Sequence, residues 1–457
     1  MAAAIASLKS KLPGAEVITP EAPDYEQSIK RWSDACEERA AAVVKVANED
    51  EVAGVLAVAQ EHSIPIAVLG GGHSTSGASS TEGIVIDLRK LQKVSVDPDA
   101  KTIAAGGGCT WAQVDVEAAK FELATVGGTV SHTGIGGLTL GGGYGFLSPR
   151  YGLTIDNLIS VRIVLADGSC VTASEKENPD LFWGIRGAGH TFGVVTEFVY
   201  RAFEQGDVFA GPLIFTPDKL AQAVEAANDI FALDIPDIVI VLGFTQRPGM
   251  PGPVVIAFSA YNGPEAKGRE LLKPLFDVGP VMDMTRTMPY VEVNQLMNEG
   301  QDFGGRKQFG GSTFKMPMNP ADVSAVFEMY LRFCEAHEKV SETAVIWENF
   351  HNGKLREVPD DATAFPNRGD YYNVGSVVKW YDPKQDVECR QFSRQIHAYI
   401  FEHGGVPKTK ASEAVRHVSR TKAEDLFGDK VHKLRELKKK YDPKDVFHKW
   451  DVRRRSV

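Results

Sequence analysis

The chain has 457 residues, of which 43% are hydrophobic and 24% charged, with a net charge of −10 and a pI of about 5.7. A chain of this length exceeds what one hydrophobic core supports, so two domains are expected. The acidic balance argues against nucleic acid as a partner, which needs clustered Lys and Arg, and no apolar run approaches the roughly 18 residues of a membrane span.

The N-terminal segment from Met1 to Lys11 predicts a short amphipathic helix. It is not typical of a secretory signal, because no basic residue precedes its apolar stretch and two lysines interrupt that stretch early. The five cysteines are odd in number, widely spaced and without a CxxC pair, which favours a reducing compartment. The sequence also lacks a His-Glu-x-x-His motif. These features predict a cytoplasmic protein without a metal site.

The segment from residue 41 to 121 alternates short apolar runs with helical patterns. Val52–Glu61 has apolar residues at helical spacing, and Trp111–Phe121 is typical of a second helix. Strands are predicted at Ala42–Val46, Ile64–Val68, Ile84–Leu88 and Thr102–Ala105. Because some strands follow one another without an intervening helix, the pattern predicts an α+β fold and not a doubly wound parallel sheet.

Two glycine clusters lie in the first half of the chain, at Ala67–Gly77 and Gly127–Gly145. Glycine has no Cβ, so such runs let backbone N–H groups approach an anion closely. Two runs together suggest a large phosphorylated cofactor held along its length, with His73 placed to touch it. The dinucleotide fingerprint fails at its third glycine in both candidate stretches, Gly70–Thr75 and Gly187–Phe192, which disfavours an ordinary nicotinamide dehydrogenase.

The second half has fewer glycines and a different pattern. Helices are predicted at Asp218–Phe231, Ala321–Lys339 and Arg390–Gly404, the last ended by glycines. Strands are predicted at Ile238–Leu242 and Val254–Phe258. Sheet segments with helices on one face predict a second α+β domain.

A set of motifs runs through the chain in a fixed order. They are Gly70-Gly-Gly-His-Ser74, Gly83-Ile-Val-Ile-Asp-Leu-Arg89, Gly106-Gly-Gly-Cys-Thr-Trp111, Tyr151-Gly-Leu-Thr-Ile-Asp-Asn157, Asp180-Leu-Phe-Trp-Gly-Ile-Arg-Gly-Ala-Gly189, Phe192-Gly-Val-Val-Thr-Glu197 and Lys440-Tyr-Asp-Pro-Lys-Asp-Val-Phe447. Together they resemble the covalent-flavin oxidoreductases of the vanillyl-alcohol-oxidase type with a PCMH-type FAD-binding domain. The resemblance is to the berberine-bridge-enzyme-like branch, near the 6-hydroxy-D-nicotine oxidases.

The resemblance implies a two-lobed α+β flavoprotein with an FAD-binding domain and an antiparallel-sheet substrate domain. The FAD-binding domain is expected at residues 1–204, with its core at about 38–203, and the substrate domain at 205–415. A C-terminal segment, 416–457, is expected to return to the FAD domain. FAD would be bound through a single covalent link to His73. Residues expected to contact it are Gly70, Gly71, Gly72, Ser74, Gly136, Gly137, Thr139, Gly141, Gly142, Gly145 and Val195.

The implied activity is an FAD-dependent oxidase that takes a hydride from an alcohol, amine or secondary metabolite to flavin N5 and reduces O2 to H2O2. Its partners would be a small organic substrate and O2, in a monomer or homodimer. Two alternatives stay open: a non-redox flavoprotein cyclase or isomerase, and a carbohydrate oxidase. The carbohydrate oxidases of the family are usually linked twice to FAD, through a cysteine at the position of Val130 here, and valine has no nucleophilic atom.

The catalytic base is less clearly indicated. Family members commonly carry a tyrosine in a region that corresponds loosely to residues 414–422 here, which contain none. A base for the O–H or N–H proton is still needed. The candidates are His351, Tyr372, Tyr290 and His132, the last also expected as a structural hydrogen-bonding group near the flavin.

Overall fold

The computed structural model describes residues 1–247, 249–406 and 423–449. The first sheet within these residues has the order β1-β2-β4-β3, in which β1 pairs antiparallel and the other three strands run parallel. Its strands are β1 (Glu16–Ile18), β2 (Ala42–Lys45), β3 (Ile66–Leu69) and β4 (Ile84–Asp87). The three parallel strands are apolar on both faces, as parallel strands covered on both sides generally are. The first glycine cluster begins where β3 ends.

A second, antiparallel sheet follows, with the order β5-β6-β10-β8-β9. Its strands are β5 (Val94–Asp97), β6 (Thr102–Gly106), β8 (Leu158–Leu165), β9 (Cys170–Ser174) and β10 (Gly193–Arg201), and a small pair is formed by β7 (Leu123–Ala124) and β11 (Phe203–Glu204). We call these sheets and the helices packed on them the N-terminal lobe.

Two helices of this lobe begin at side-chain caps. Asn48 Oδ1 accepts a hydrogen bond from the Glu51 amide at the start of α3, and Thr110 forms a capping box with Gln113 at the start of α4. The helices are α1 (Ala2–Lys11), α2 (Tyr25–Ile29), α3 (Glu49–Glu61), α4 (Trp111–Ala119), α5 (Ile135–Leu140), α6 (Ser148–Tyr151) and α7 (Pro179–Ala188). Short 3₁₀ turns occur at Asp34–Cys36, Thr154–Asp156, Gly189–Thr191, Pro217–Lys219, Asp360–Ala362 and Pro383–Gln385.

The central lobe is built on an antiparallel sheet with the order β15-β12-β14-β13-β18-β19-β17, and β16 also pairs with β12. Its strands are β12 (Val208–Phe215), β13 (Ile238–Thr245), β14 (Val254–Tyr261), β15 (Met282–Asp283), β16 (Arg286–Met288), β17 (Arg306–Phe314), β18 (Ala344–Phe350) and β19 (Tyr372–Trp380). The helices of this lobe are α8 (Leu220–Phe231), α9 (Glu265–Leu271), α10 (Lys273–Asp277), α11 (Tyr290–Val293), α12 (Pro320–Ala336), α13 (Gly353–Glu357) and α14 (Asp386–His403).

One face of this sheet packs against α8, α12 and α14 in the largest hydrophobic core of the described residues. Successive side chains of a strand point to opposite faces. On β18, Val345 and Trp347 therefore enter this core, while Ile346, Glu348 and Phe350 line the opposite face. The alternation leaves one face of the sheet free to form a site.

The last described helices are α15 (Ala423–Phe427) and α16 (Lys430–Tyr441). Helix α16 packs against α7: its Leu434 lies in the core of the second sheet, and the Tyr441 hydroxyl donates to Asp180 at 2.8 Å. Lys438 is fully buried, and its ammonium donates to Asp442 and to the carbonyl of Phe447.

The structure confirms the predicted α+β class and the antiparallel second sheet. The division at residues 204 and 415 stays a prediction, and residue 415 lies outside the described residues, as do 416–422 and the tail from 450. No helix of the described chain combines the length and the apolar character needed to cross a membrane.

Candidate active site

A cavity of about 940 Å³ lies between the two lobes. One wall is formed by the glycine clusters of the N-terminal lobe, and the other by the free face of β17, β18 and β19. Phe447 and Lys449 from the C-terminal segment also line it. Small-molecule and cofactor sites span about 300–1,000 Å³, so the cavity is large enough for an extended cofactor.

Nine of the twelve residues expected to contact the cofactor line this cavity: Gly70, Gly71, Gly72, His73, Ser74, Gly136, Gly137, Gly141 and Val195. The other three do not. Gly142 has a φ of +120° and faces the Phe365 ring, where a Cβ would lie 2.5 Å from the nearest carbon. At Gly145 a Cβ would lie 2.1 Å from the carbonyl oxygen of Gly127, and the Thr139 hydroxyl is buried against Tyr200 Oη at 2.8 Å. At these three positions the structure shows packing contacts within the chain, and their contact with the cofactor stays a prediction.

The glycines that line the cavity are required for two different reasons. A Cβ on Gly71 would lie 2.2 Å from the backbone nitrogen of Gly134, so this glycine allows the two clusters to touch. A Cβ on Gly137 would meet no protein atom within 4 Å, so it would project into free space. The amides of residues 71–75 also have no acceptor among the described residues. Such amides can bind an anionic group, and the wall therefore fits FAD.

His73 lies in a stack of rings at one end of the cavity. Its Nε2 lies 2.8 Å from Nδ1 of His132. Its ring stacks on Trp32 with centroids 5.3 Å apart, and Phe303 from the central lobe contacts it edge-on. Burial, followed by the charges near it, lowers the pKa of His73 to about 3. The imidazole is thus neutral at any physiological pH and keeps a nucleophilic lone pair.

Lys307 supplies a fixed positive charge beside this stack. Only 1% of the residue is exposed, and its ammonium donates to the carbonyls of Trp32, Asp302 and Gly304. Burial lowers the pKa of Lys307 to about 8. Its charge also contributes to lowering the pKa of both His73 and His132.

A second polar group connects the sheet side of the cavity to the second glycine cluster. The Tyr144 hydroxyl donates a short hydrogen bond to Oε2 of Glu348, and both residues line the cavity. Asn373 stands directly opposite Glu348 in the register of β18 and β19 and hydrogen-bonds the same hydroxyl. Burial raises the pKa of Glu348 to about 7. A carboxyl with this pKa can accept a proton near neutral pH.

Three of the four candidate bases lie in or beside the cavity. His351 lines it, stacked on Phe231 at 4.1 Å, with Nδ1 lying 3.3 Å from a carboxylate oxygen of the exposed Asp234. Tyr372 lines it with its hydroxyl 3.4 Å from Asn352 Oδ1. His132 is not among the residues that line the cavity, but its Nδ1 lies within hydrogen-bond distance of Nε2 of His73, which does line it.

Tyr290 is not brought to the cavity. It begins α11, lies buried between the lobes, and its hydroxyl lies beside Asn294 and away from the cavity lining. Its neighbours are Asp115 and Asn294, and Asn294 Nδ2 donates to Asp115 Oδ2 at 2.8 Å.

The sequence analysis missed Tyr144 and Glu348. Signals for both were present. Tyr144 is the one aromatic residue in Gly141–Gly145, where small residues dominate, and Glu348 is the only charged residue in the apolar segment Ala344–Phe350. A lone carboxylate on a buried strand is a recognisable sign of a functional group.

The comparisons with known proteins agree with this architecture. The family model described as FAD binding domain matches residues 40–174, and the model described as berberine and berberine like matches residues 421–449. The FAD-linked oxidoreductase pgmH of Aspergillus terreus is 36% identical over 479 aligned positions, which cover 98% of this chain and 95% of that protein.

Two solved structures share the fold. The 6-hydroxy-D-nicotine oxidase of Arthrobacter nicotinovorans has a TM-score of 0.81 at 25% identity, covering 96% of this chain and 98% of the other. Berberine bridge enzyme bound to (S)-reticuline has a TM-score of 0.80 at 19% identity over 99% of both chains, which shows the fold alone. Because 36% of its residues are identical to those of pgmH over nearly the whole length of both proteins, and because its cavity is lined by the glycine clusters, the chain belongs to the FAD-linked oxidoreductases with a berberine-like C-terminal segment.

Proposed function

We propose that this FAD-linked oxidoreductase is an oxidase with FAD bound covalently through His73, acting on a small alcohol, amine or related secondary metabolite with dioxygen as the electron acceptor. The observation that carries the proposal is the Tyr144–Glu348 pair, in which a tyrosine of the second glycine cluster meets a carboxyl group on the opposite wall of the cavity. The related 6-hydroxy-D-nicotine oxidase is an oxidase by its name.

When bound, FAD would supply the two-electron acceptor for a C–H bond. The chain itself would hold it with the residues of the two glycine clusters that line the cavity, and with Val195 on the adjoining β10. A proton must leave the substrate O–H or N–H as the hydride departs. The Glu348 carboxylate, ordered by Tyr144, is the acceptor best placed for it. His351 and Tyr372, which line the same cavity, would contact the substrate and fix its orientation.

The walls around Glu348 favour a substrate with a large apolar surface. Ile346 and Phe350 flank it on β18, and Met297 and Phe365 also line the cavity. A substrate hydroxyl placed against these side chains would lose its hydrogen bonds to water, which is costly, while Asn352, Tyr372 and Asn373 offer a few polar contacts in the same lining. The lining therefore supports a mostly apolar metabolite with one reactive hydroxyl or amine over a carbohydrate.

A single covalent link is supported by the residues around the cavity. Val130 lines it, and no cysteine does within the described residues. The five cysteines are all free thiols, which also supports a reducing, cytoplasmic setting. A monomer or homodimer is part of the same proposal.

Three measurements test this function. Denaturing gels should show flavin fluorescence on the wild-type band and none on His73→Ala, and FAD mass should map to the tryptic peptide containing His73 alone. Photoreduced enzyme mixed with aerated buffer should reoxidise quickly, with release of peroxide. A flavin that stays reduced would instead indicate a dehydrogenase or a non-redox protein.

A peroxide-coupled screen over alcohols, amines and sugars identifies the substrate. With that substrate, Glu348→Gln should lower kcat by about a hundredfold or more, while Glu357→Gln, an exposed carboxylate on α13, serves as the matched control. Full activity in Glu348→Gln would refute the assigned base.

A further inference from the structure

We infer that the buried ammonium of Lys307 raises the reduction potential of the bound flavin and so makes it a stronger acceptor of electrons. The inference rests on the proposed function, in which FAD is linked to His73. Lys307 lies on β17, beside the ring stack that contains His73. Its Nζ lies 4.8 Å from the centroid of the Trp32 ring, and this ring stacks on His73 with centroids 5.3 Å apart. A flavin bonded to His73 is therefore attached within reach of this charge, because interactions between buried charges are weakly screened.

Lys307 is a buried cation without an ion pair in the described part of the chain. Its ammonium donates to the carbonyls of Trp32, Asp302 and Gly304, and these hydrogen bonds hold the charge without neutralising it. The nearby Glu342 carboxylate already accepts a hydrogen bond from Lys379 Nζ. Burying a charge without a charged partner costs free energy. A negative charge that appears beside Lys307 during turnover would offset this cost.

The effect of Lys307 is already visible at His73. Burial is the largest cause of the low pKa of this histidine, and the charges of His132 and Lys307 lower it further. Lys307 also acts on His132, whose pKa is lowered mainly by burial. An electrostatic potential that opposes a positive charge on these rings favours a negative charge at the same place. The group bonded to His73 would therefore gain negative charge more easily than it does in water.

Hydride transfer places such a charge on the flavin. The hydride carries two electrons and one proton from the substrate C–H bond, so the isoalloxazine gains one negative charge unless a second proton follows. The substrate is oxidised and the flavin reduced, and both electrons later pass to dioxygen, which takes up two protons to form hydrogen peroxide. A fixed cation in a region of low dielectric constant stabilises the added charge without reorganisation. Lys307 thus favours the reduced flavin over the oxidised one.

The reduction potential of the holoenzyme tests this inference. The flavin is reduced slowly by xanthine and xanthine oxidase with a reference dye at pH 7, where Lys307 is still charged because burial lowers its pKa only to about 8. Lys307→Met should lower the potential by about 30 mV or more, which is a tenfold change in the equilibrium constant of a two-electron couple. Lys354→Met removes an exposed lysine of α13 and should leave the potential unchanged.

Asp302→Asn supplies a change of the opposite sign. The backbone carbonyl of residue 302 still accepts its hydrogen bond from Lys307 Nζ, so the contacts that hold the lysine are kept. The Asp302 carboxylate, whose negative charge acts on both Lys307 and His132, is removed. The potential should therefore rise in this variant. A role of Lys307 in packing alone predicts no such rise.

Fluorescence on denaturing gels first shows whether each variant keeps the covalent flavin, because loss of the link could itself change the potential. A variant that has lost the link is compared in the His73→Ala background, in which every protein lacks it. Equal potentials in the wild type and Lys307→Met, or no rise in Asp302→Asn, would overturn the inference. If Lys307→Met does not fold, Asp302→Asn decides alone. Neither substrate nor dioxygen enters the measurement, so failure of the proposed oxidase activity and failure of this inference are distinguished.

Discussion

Replacing Gly137 by valine should separate FAD binding from folding. Gly137 lies inside α5, and a Cβ there would meet no protein atom within 4 Å. Valine is a better helix former than glycine by a few tenths of a kcal/mol. The apoprotein should therefore keep its stability within about 1 kcal/mol, a change in Tm of no more than about 2–4 °C. The same side chain fills cavity volume, so FAD affinity should fall by about tenfold or more, which corresponds to about 1.4 kcal/mol.

Gly71→Val is the matched contrast on the same wall. Its Cβ would lie 2.2 Å from the Gly134 nitrogen and 2.6 Å from its Cα, and backbone atoms cannot rotate aside as side chains do. Overpacking of this kind costs about 3 kcal/mol or more, so this variant should lose Tm and FAD together. The assay is thermal unfolding of the apoproteins, with FAD content measured by the ratio of absorbance at the flavin and protein bands. If Gly137→Val bound FAD normally, or unfolded before FAD was lost, the free space beside Gly137 would not be cofactor space.

Three further predictions follow from buried charges. Because Glu348 must be ionised to accept a proton and its pKa is raised to about 7, kcat/KM should rise as the pH increases through about 7. The pH profile of Glu348→Gln should lack this rise. Burial also raises the pKa of Asp115 to about 7, so the folded protein binds a proton there that the unfolded chain releases, and the folded state loses stability as the pH rises from about 4 to 7. Asp115→Asn removes this titration, so its Tm should match that of the wild type near pH 4 and exceed it at pH 8.5. Equal Tm values of the two proteins at all pH values would contradict this reasoning. The ion pair between Arg368 Nη2 and Asp156 Oδ1, 2.7 Å apart, joins the lobes with both side chains buried. Asp156→Asn should therefore lower the free energy of unfolding in denaturant by about 3–5 kcal/mol. A change below about 1 kcal/mol would show that the pair is dispensable.

Much of the fold could be predicted from the sequence, because local patterns determine its elements. The helical spacing of apolar residues over Val52–Glu61 falls within α3, and Gly404 follows the last residue of α14 as predicted. The short apolar runs at Ile238–Leu242 and Val254–Phe258 lie in β13 and β14. Strand order could not be predicted, since it depends on contacts between segments such as β12 and β14 that lie far apart in sequence.

The site was predictable on the side where short motifs form it. Gly70–Ser74 is continuous in sequence, and all five residues line the cavity. The opposite wall is assembled from separate strands, so nothing local relates Glu348 on this wall to Tyr144 in the second glycine cluster, 204 positions away. A glycine motif also does not tell which of its glycines face a ligand. Gly142 is required by its positive φ and the neighbouring Phe365 ring, whereas Gly137 borders open space.

The alternation along β18 has a consequence for how this protein can change. Ile346, Glu348 and Phe350 face the cavity, while Val345 and Trp347 anchor the sheet to its helices. Substitutions in the first set alter the surface that a substrate meets and leave the hydrophobic core intact, whereas those in the second set remove core contacts and destabilise the lobe. A mutational library restricted to every second residue of this strand would thus sample new substrates without exhausting the stability of the scaffold, and the same separation lets one fold diversify into enzymes for different metabolites.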